Sequence, residues 1–438
     1  MSDYTLEQLS EWDEKIIEIS KGYGLDWFEI AYELLDYYSM IGAMAYHGLP
    51  THFDHWSYGK TFERTQHRYN LGMEGLPYEL IINSNPSIAY LMRENPLYLQ
   101  ILIMAHCVGH SDFFKNNRMF AHTRPDTVIP RYRAAKKRFQ SYIEDPTIGV
   151  EEVEKVIDAC HAVQFQTTKY GQKRRTQEEI RAEYTQLIKN DKKGKYKHFD
   201  INRVPLEKDY DILGFVSENA KLPDWKRDII DVCRDEGQYF WPQIQTKIMN
   251  EGWASYWHYT IVNDLKLDDS MHLPFIKMHN QVVRPHLGAI NPYHLGFYMF
   301  QKIKERHGIE ECFIARNVCH DVSFLRQYLT QEDCYELNLF TYSAKRREGV
   351  TIDDVSDEFG WEFVKNELVG MVGGNSIPIV YVDEVRNGGE LIVRHEHDGR
   401  DLDVENTKNV VKHLKTLWGN GIQFYTVIDG EVWRHDSI

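Results

Sequence analysis

The chain has no long apolar run. Its densest stretch, Leu97 to Ala105, is interrupted by Tyr98 and Gln100 and falls far short of the roughly 20 residues that span a bilayer. It also has no basic excess: 51 Lys and Arg stand against 66 Asp and Glu, a formal net charge of -15. That balance argues against general nucleic-acid binding, which needs a concentrated positive face, and against attraction to anionic membranes unless one local patch overrides the total. The six cysteines, Cys107, Cys160, Cys233, Cys312, Cys319 and Cys334, include no C-x-x-C pair, which fits a reducing compartment better than a disulfide framework. The acidic opening Met1-Ser2-Asp3-Tyr4-Thr5-Leu6-Glu7 lacks the apolar core of a secretory signal. The expectation is a cytoplasmic protein with no nucleic-acid partner and no membrane insertion. Ser57 and Ser255 have no G-x-S-x-G context, and Gly370-Met371-Val372-Gly373-Gly374 lacks the Lys-Ser/Thr of a phosphate loop. Internal repeats and low-complexity tracts are missing too.

What is there is ordinary globular material, 42% hydrophobic and 27% charged over 438 residues, enough for two or three domains. Residues 5 to 45 read as helical from Leu6, Leu9, Trp12, Ile16 and Ile19, then Trp27, Ile30, Ala31, Leu34 and Leu35. A loop follows from Tyr46 to Lys60, rich in histidine and aromatics. Asn95 as N-cap and Pro96 as first helical residue open an apolar helix, one that belongs at the centre of a domain. Residues 167 to 210 are strongly charged and read as an exposed helix followed by a flexible connector. Pro242 opens a second apolar helix, Trp241 to Leu265, and Asn291-Pro292-Tyr293 a third. Beyond residue 345 the period becomes two. Ile377–Val385 and Leu391–His397 flank the turn Arg386-Asn387-Gly388-Gly389, Asp403–Leu417 is a helix, and Ile422–Ile428 and Glu431–His435 flank Asp429-Gly430.

The expected fold class is therefore α+β. A large, mainly α-helical body over residues 1–345, with zincin-like helices, precedes a small antiparallel β-β-α-β-β domain over 346–438.

Chemistry concentrates on the first apolar helix. His106 and His110 are four residues apart, so their imidazoles share one face, about 6 Å apart at the backbone, as in helices that supply two metal ligands. A zinc-hydrolase helix reads H-E-x-x-H, its Glu acting as general base. Here Cys107 occupies that place. A third ligand is expected from Glu251, which shares a stripe with Ile244, Ile248 and Val262, because a buried carboxylate needs a partner. The metal set is thus His106, His110 and Glu251, with a divalent ion such as zinc as cofactor. The same three residues also suit a metal-free core in which the histidines bond the carboxylate. His258, two turns beyond Glu251, is a fourth ligand or a supporting group, and His258 and Tyr256 are the catalytic candidates. His55, Trp56, Tyr58 and Lys60, with His294, form a candidate ligand pocket in which Lys60 would hold a small anion. His279, His286 and His294 could close one cavity. His395 and His397 share a strand face of an exposed hairpin, and Cys107 reads as packing.

Six segments carry a resemblance. They are His55-Trp56-Ser57-Tyr58-Gly59-Lys60, Gly75-Leu76-Pro77-Tyr78-Glu79-Leu80, Asn85-Pro86-Ser87-Ile88-Ala89-Tyr90, Gly109-His110-Ser111-Asp112-Phe113-Phe114-Lys115-Asn116-Asn117, Asn250 to His258, and Asn291-Pro292-Tyr293-His294-Leu295-Gly296. Together they resemble the stage V sporulation protein R (SpoVR) family over about residues 40 to 310. Glu251-Gly252-Trp253-Ala254-x-Tyr256 is also similar to the glutamate-bearing segment of some zinc-peptidase-like families. The resemblance implies a cytoplasmic bacterial protein connected, in spore formers, with the peptidoglycan cortex; it brings no established reaction. Two function classes remain: a metal-dependent hydrolase of an amide or similar bond, and a non-catalytic regulatory or scaffold protein on a degenerate hydrolase-like fold. In the second, the C-terminal domain would dock a protein partner.

Overall fold

The computed structural model describes residues 4–71, 79–167, 174–196, 199–286, 289–345 and 349–437. Helices dominate, and a small strand-rich region lies towards the C-terminus. The chain divides into two compact units, Met1–Ala134 with Pro242–Ser376, and Ala135–Trp241 with Ile377–Ile438. The change of period at residue 345 suggested a boundary at a different place. Residues 361–371 form a helix that packs within the first unit.

In the first unit, α1 (Leu6–Gly22) is started by a capping box between Thr5 and Gln8. The helical reading of residues 5–45 then fails in its middle. Residues Ile30–Leu35 form strand β1, with alternate side chains turned inward, because Phe28, Ile30, Tyr32 and Leu34 repeat with period two. Helix α2 is Tyr37–Ala45. The expected loop over 46–60 is also shorter, since α3 (Trp56–Asn70) starts inside it with His55 as its N-cap. Strands β2 (Glu79–Ile82) and β3 (Ser87–Met92) complete a sheet of order β1-β3-β2, β1 parallel and β2 antiparallel to the central strand.

Helix α4 (Leu97–Asn116) is buried without interruption from Leu99 to Phe114, as its all-round apolar sequence requires. Its N-cap is Pro96, not Asn95, and no side chain caps it. The second apolar helix also begins later than expected. Pro242 sits in the last turn of α9 (Asp224–Gln245), where helical φ suits proline and one hydrogen bond is forfeited, and α10 runs Lys247–Asp264. The carboxylate of Asp321 caps α10 from a distance, accepting from Ile248 N and Met249 N at 2.9 Å each. α4 packs on α10, which packs in turn on α12 (Pro292–His307). Glycines set these crossings. A Cβ on Gly109 would lie 2.7 Å from Ala254 Cα, and one on Gly296 would lie 2.1 Å from the Ile248 carbonyl oxygen. α11 (Asp269–Val282), α13 (Ile309–Val318), α14 (Asp321–Tyr328), α15 (Gln331–Glu336), the hairpin of β4 (Phe340–Lys345) and β5 (Gly349–Val355), and α16 (Trp361–Met371) surround that stack.

In the second unit, α6 (Gly149–His161), α7 (Gln177–Lys189) and α8 (Ile212–Asn219) accompany most of α9 and the C-terminal part of α5 (Val128–Glu144). α7 is the expected exposed charged helix, opened by a Thr176–Glu179 capping box. Arg174 departs from the solvated picture. Its side chain is 10% exposed and pairs with Asp209 at 2.7 Å and with Glu218. The sheet β6 (Val380–Val385), β7 (Leu391–His395), β8 (Ile422–Ile428) and β9 (Glu431–Ser437) lies in chain order. Both hairpins are antiparallel, but β7 and β8 pair in parallel, which corrects the antiparallel expectation. α17 (Val404–Trp418) is a crossover between them, and a helical crossover returns the chain in the same direction. His395 is buried and bonds Thr426 Oγ1 at 2.8 Å, so it is not part of an exposed pair with His397.

Candidate metal centre

α4 carries His106 and His110 one turn apart, and α10 brings Glu251 to the same face. His110 Nε2 lies 3.4 Å and His106 Nε2 3.8 Å from Glu251 Oε2. A second carboxylate joins from the start of β2: Glu79 Oε1 is 3.8 Å from His106 Nε2. The donor atoms of Glu79, His106 and His110 all lie within 4.8 Å of one another. Ligands about 2.1 Å from an ion at tetrahedral angles are about 3.4 Å apart. The spacing seen here is therefore that of ligand edges, longer than hydrogen bonds. Among the described residues, buried His106 Nε2 and Glu251 Oε2 have no hydrogen-bond partner, a costly arrangement unless an ion sits between them.

The remaining nitrogens are committed. His110 Nδ1 bonds Asn250 Oδ1 at 2.9 Å. An amide oxygen only accepts, so the proton sits on Nδ1 and Nε2 offers a lone pair. His106 Nδ1 contacts His258 Nδ1 at 2.8 Å, and His258 Nε2 contacts His279 Nδ1 at 2.8 Å. If His106 offers its Nε2 lone pair, the tautomers follow in turn. His106 donates to His258, His258 donates to His279, and His279 carries its proton on Nε2. Burial, with His106 and His279 nearby, pushes His258 well below its ordinary range. Burial with His106 lowers His279 to about 4. Both are thus neutral, as the relay of tautomers needs.

The carboxylates differ. Burial works to raise the Glu251 carboxyl, but contacts with His106 and His110 overcome it and hold the group below the usual carboxylate range. Burial raises Glu79, with Glu251 adding to it and the two histidines only partly opposing. His110, despite burial, is raised by Glu251. The charge of Glu251, together with burial and Glu79, pushes the Tyr293 phenol well above its ordinary range and keeps it protonated. The Tyr293 ring lies against His106, centroids 6.2 Å apart, on the first turn of α12 where Asn291 caps the helix through Tyr293 N at 3.0 Å.

Asp112, one turn from Asn116 and two residues past His110, ties these elements together. It accepts from Trp253 Nε1 of α10 at 2.7 Å, from Arg316 Nη1 of α13 at 2.8 Å and from Asp26 N at 2.8 Å.

The structure thus brings His106, His110 and Glu251 together. His258 stands behind His106 with both nitrogens engaged, in a supporting place and not a ligand's. Tyr256, five residues past Glu251, is turned to another face of α10, beside Trp253, Trp257 and Lys304. His55, Trp56, Tyr58 and Lys60 gather around the start of α3. His55 Nδ1 meets Ser57 Oγ at 2.7 Å, Lys60 lies over the Trp56 ring at 5.5 Å, and Tyr58 packs among His52, His55 and Phe53. His294 is elsewhere. With His286 it lines a mainly apolar cavity of about 530 Å³ between the start of α12 and α16, whose described lining includes none of residues 55–60. His279 belongs to the histidine relay, so the three histidines expected to close one cavity divide between two places. Cys107 is fully buried and its thiol is pushed up by burial, consistent with packing.

Glu79 and Tyr293 escaped the sequence reading, although both lie in the segments that carried the resemblance. Residues 75–78 of the Gly75–Leu80 segment lie outside the described residues. The family model described as SpoVR like protein matches residues 3–376, and that of the SpoVR-like C-terminal domain matches 376–429. The chain belongs to the SpoVR family. It is 33% identical over 467 residues to "Uncharacterized protein YcgB" of Escherichia coli (strain K12), covering 95% of this chain and 91% of that one. No solved structure matches this SpoVR-family chain. No helix among its described residues is long and apolar enough to cross a membrane.

Proposed function

We propose that this SpoVR-family protein binds one divalent ion, of zinc type, through His106, His110 and Glu251, and hydrolyses an amide or similar bond with Glu79 as general base. The observation that carries the reading is the pair of buried atoms, His106 Nε2 and Glu251 Oε2, with no hydrogen-bond partner among the described residues, at ligand-edge spacing beside a second carboxylate. A bound ion would supply a water of lowered pKa at neutral pH. Glu79, raised by burial, suits the base whose place in the H-E-x-x-H pattern is taken by Cys107. It would take the proton of the attacking water and return it to the leaving amine. Tyr293, kept protonated, would donate to the oxygen that gains charge. The family likeness points to amide bonds of peptidoglycan precursors as the substrate class and to the cytoplasm as the place of action.

Metal analysis of the purified protein tests the site. Wild type and Glu79→Gln should carry about one equivalent more than His110→Ala and Glu251→Gln, and only wild type should turn over an amide substrate. Equal metal content in all four would sink the reading. The burial of His106 and His110, 3% and 4% exposed, favours a second reading: a closed structural site in a regulatory protein that docks a partner through its C-terminal region. In that case Glu79→Gln loses the metal and no hydrolysis is found.

A further inference from the structure

We propose that the second unit holds a metal site of its own, in which His161, Cys233 and Glu236 bind a zinc-type divalent ion. His161 is the last residue of α6; Cys233 and Glu236 are one turn apart on α9. One donor atom from each lies within 4.8 Å of the other two. His161 Nε2 is 3.8 Å from Glu236 Oε2, the same ligand-edge spacing as at the first centre and too long for a hydrogen bond. Cys233 is wholly buried and Glu236 3% exposed, whereas the His161 side chain is 22% exposed and offers an ion its way in.

The packing that makes the cluster is built into the backbone. A Cβ on Gly237 would fall 2.3 Å from the carbonyl oxygen of Gln164. Only glycine there lets α9 come down onto the segment just after α6, and that approach sets Cys233 and Glu236 beside His161.

Thiolate, imidazole and carboxylate together form a donor set suited to zinc or cobalt, and three protein ligands leave one position for water. Calcium and magnesium, which take oxygen donors, do not suit it. The Cys233 thiol meets the sulfur of Cys160, next to His161 in sequence, in a contact that favours the protonated form of Cys233. That contact, then burial, raises Cys233 and keeps it a thiol while no ion is bound. An entering ion displaces the Cys233 proton to solvent and takes the thiolate as ligand, so uptake releases one proton. Cys160 supports the sulfur and does not coordinate.

Cobalt distinguishes this site from the first one, whose donors are nitrogen and oxygen only. The full-length Glu251→Gln protein, freed of metal, is titrated with Co²⁺ under reducing conditions. The expected result is one equivalent bound with a near-ultraviolet thiolate-to-cobalt charge-transfer band, displaced by Zn²⁺. The band should vanish in Cys233→Ser, weaken at least tenfold in apparent affinity in His161→Gln, and persist in Cys160→Ser. Far-ultraviolet circular dichroism identifies any variant that fails to fold, and His161→Gln, at a partly exposed position, keeps the test open if Cys233→Ser does so. Absence of the band at saturating Co²⁺, or its persistence in folded Cys233→Ser, overturns the proposal. Because the background lacks Glu251, neither outcome bears on the first centre.

Discussion

His258 shows how much a single residue can carry without touching an ion. Its two nitrogens join His106 to His279, and such supporting partners of metal-bound histidines change affinity by about 10- to 100-fold. His258→Phe should weaken metal binding by that factor while leaving the unbound fold intact, as a competition titration against a chelating dye would read; unchanged affinity would remove it from the site. His279 makes a pH prediction. Its folded-state value of about 4 lies below the ordinary 6.5. Above pH 6.5 both folded and unfolded chains hold it neutral, and its contribution is complete. As the pH falls from 6.5 towards 4 the unfolded chain takes up a proton that the folded one refuses, so stability is lost. The loss is about 2 kcal/mol at pH 5. Urea denaturation at pH 7.5 and 5 should show a smaller drop for His279→Gln than for wild type; equal drops would count against it. At this scale the sequence was partly legible. Helical spacing and an inward-facing acid were enough to place His106, His110 and Glu251 in one cluster. Glu79 was hidden because β2 is joined to α4 only through tertiary packing, and nothing in local spacing relates residue 79 to residue 106.

Among the elements, α10 is held between two neighbours by contacts that only glycine permits. Gly296→Ala would place a methyl group 2.1 Å from the Ile248 carbonyl oxygen and 2.6 Å from Gly252 Cα. α10 and α12 must then separate, which displaces the turn of α10 that carries Glu251. Overpacking of this kind costs about 1–3 kcal/mol or more, and metal content should fall together with stability. Gly42→Ala is the comparison. It sits in a helix with open space around it, so alanine should stabilise by up to about 1 kcal/mol. Equal behaviour of the two variants in denaturation would refute the crossing argument. Element type was readable where a periodic stretch was long, as in α4 and α17. It failed over Ile30–Leu35, where a six-residue strand was absorbed into flanking helical patterns, and at Pro242, which opens no helix but lies in the last turn of α9. The parallel pairing of β7 with β8 follows from α17 lying between them, a topological consequence that hairpin signals alone do not show.

For the whole molecule, ligand linkage would make the proposed metal sites measurable as stability. An ion at a thousandfold excess over its dissociation constant adds about 4 kcal/mol to the unit that binds it, on the order of 10 °C in unfolding temperature. A chelator should therefore lower the thermal transition of wild type by several degrees and leave a Glu251→Gln/Cys233→Ser double variant nearly unmoved. A wild-type melt indifferent to chelation would argue against both ions. The chemistry of this scale was the least legible in advance, because each unit is made of two segments far apart in the chain and composition shows no such interleaving.

That interleaving gives the protein a history during its own synthesis. His106 and His110 are made well before Glu251, and at about 5–20 residues per second the delay is on the order of ten seconds. Throughout it α4, buried in the finished protein from Leu99 to Phe114, has no α10 to lie against. A growing chain that displays so apolar a helix is a target for premature association. Until the second half arrives the apolar faces of α4 lack that cover, and His106, His110 and Glu251 can come together only after it.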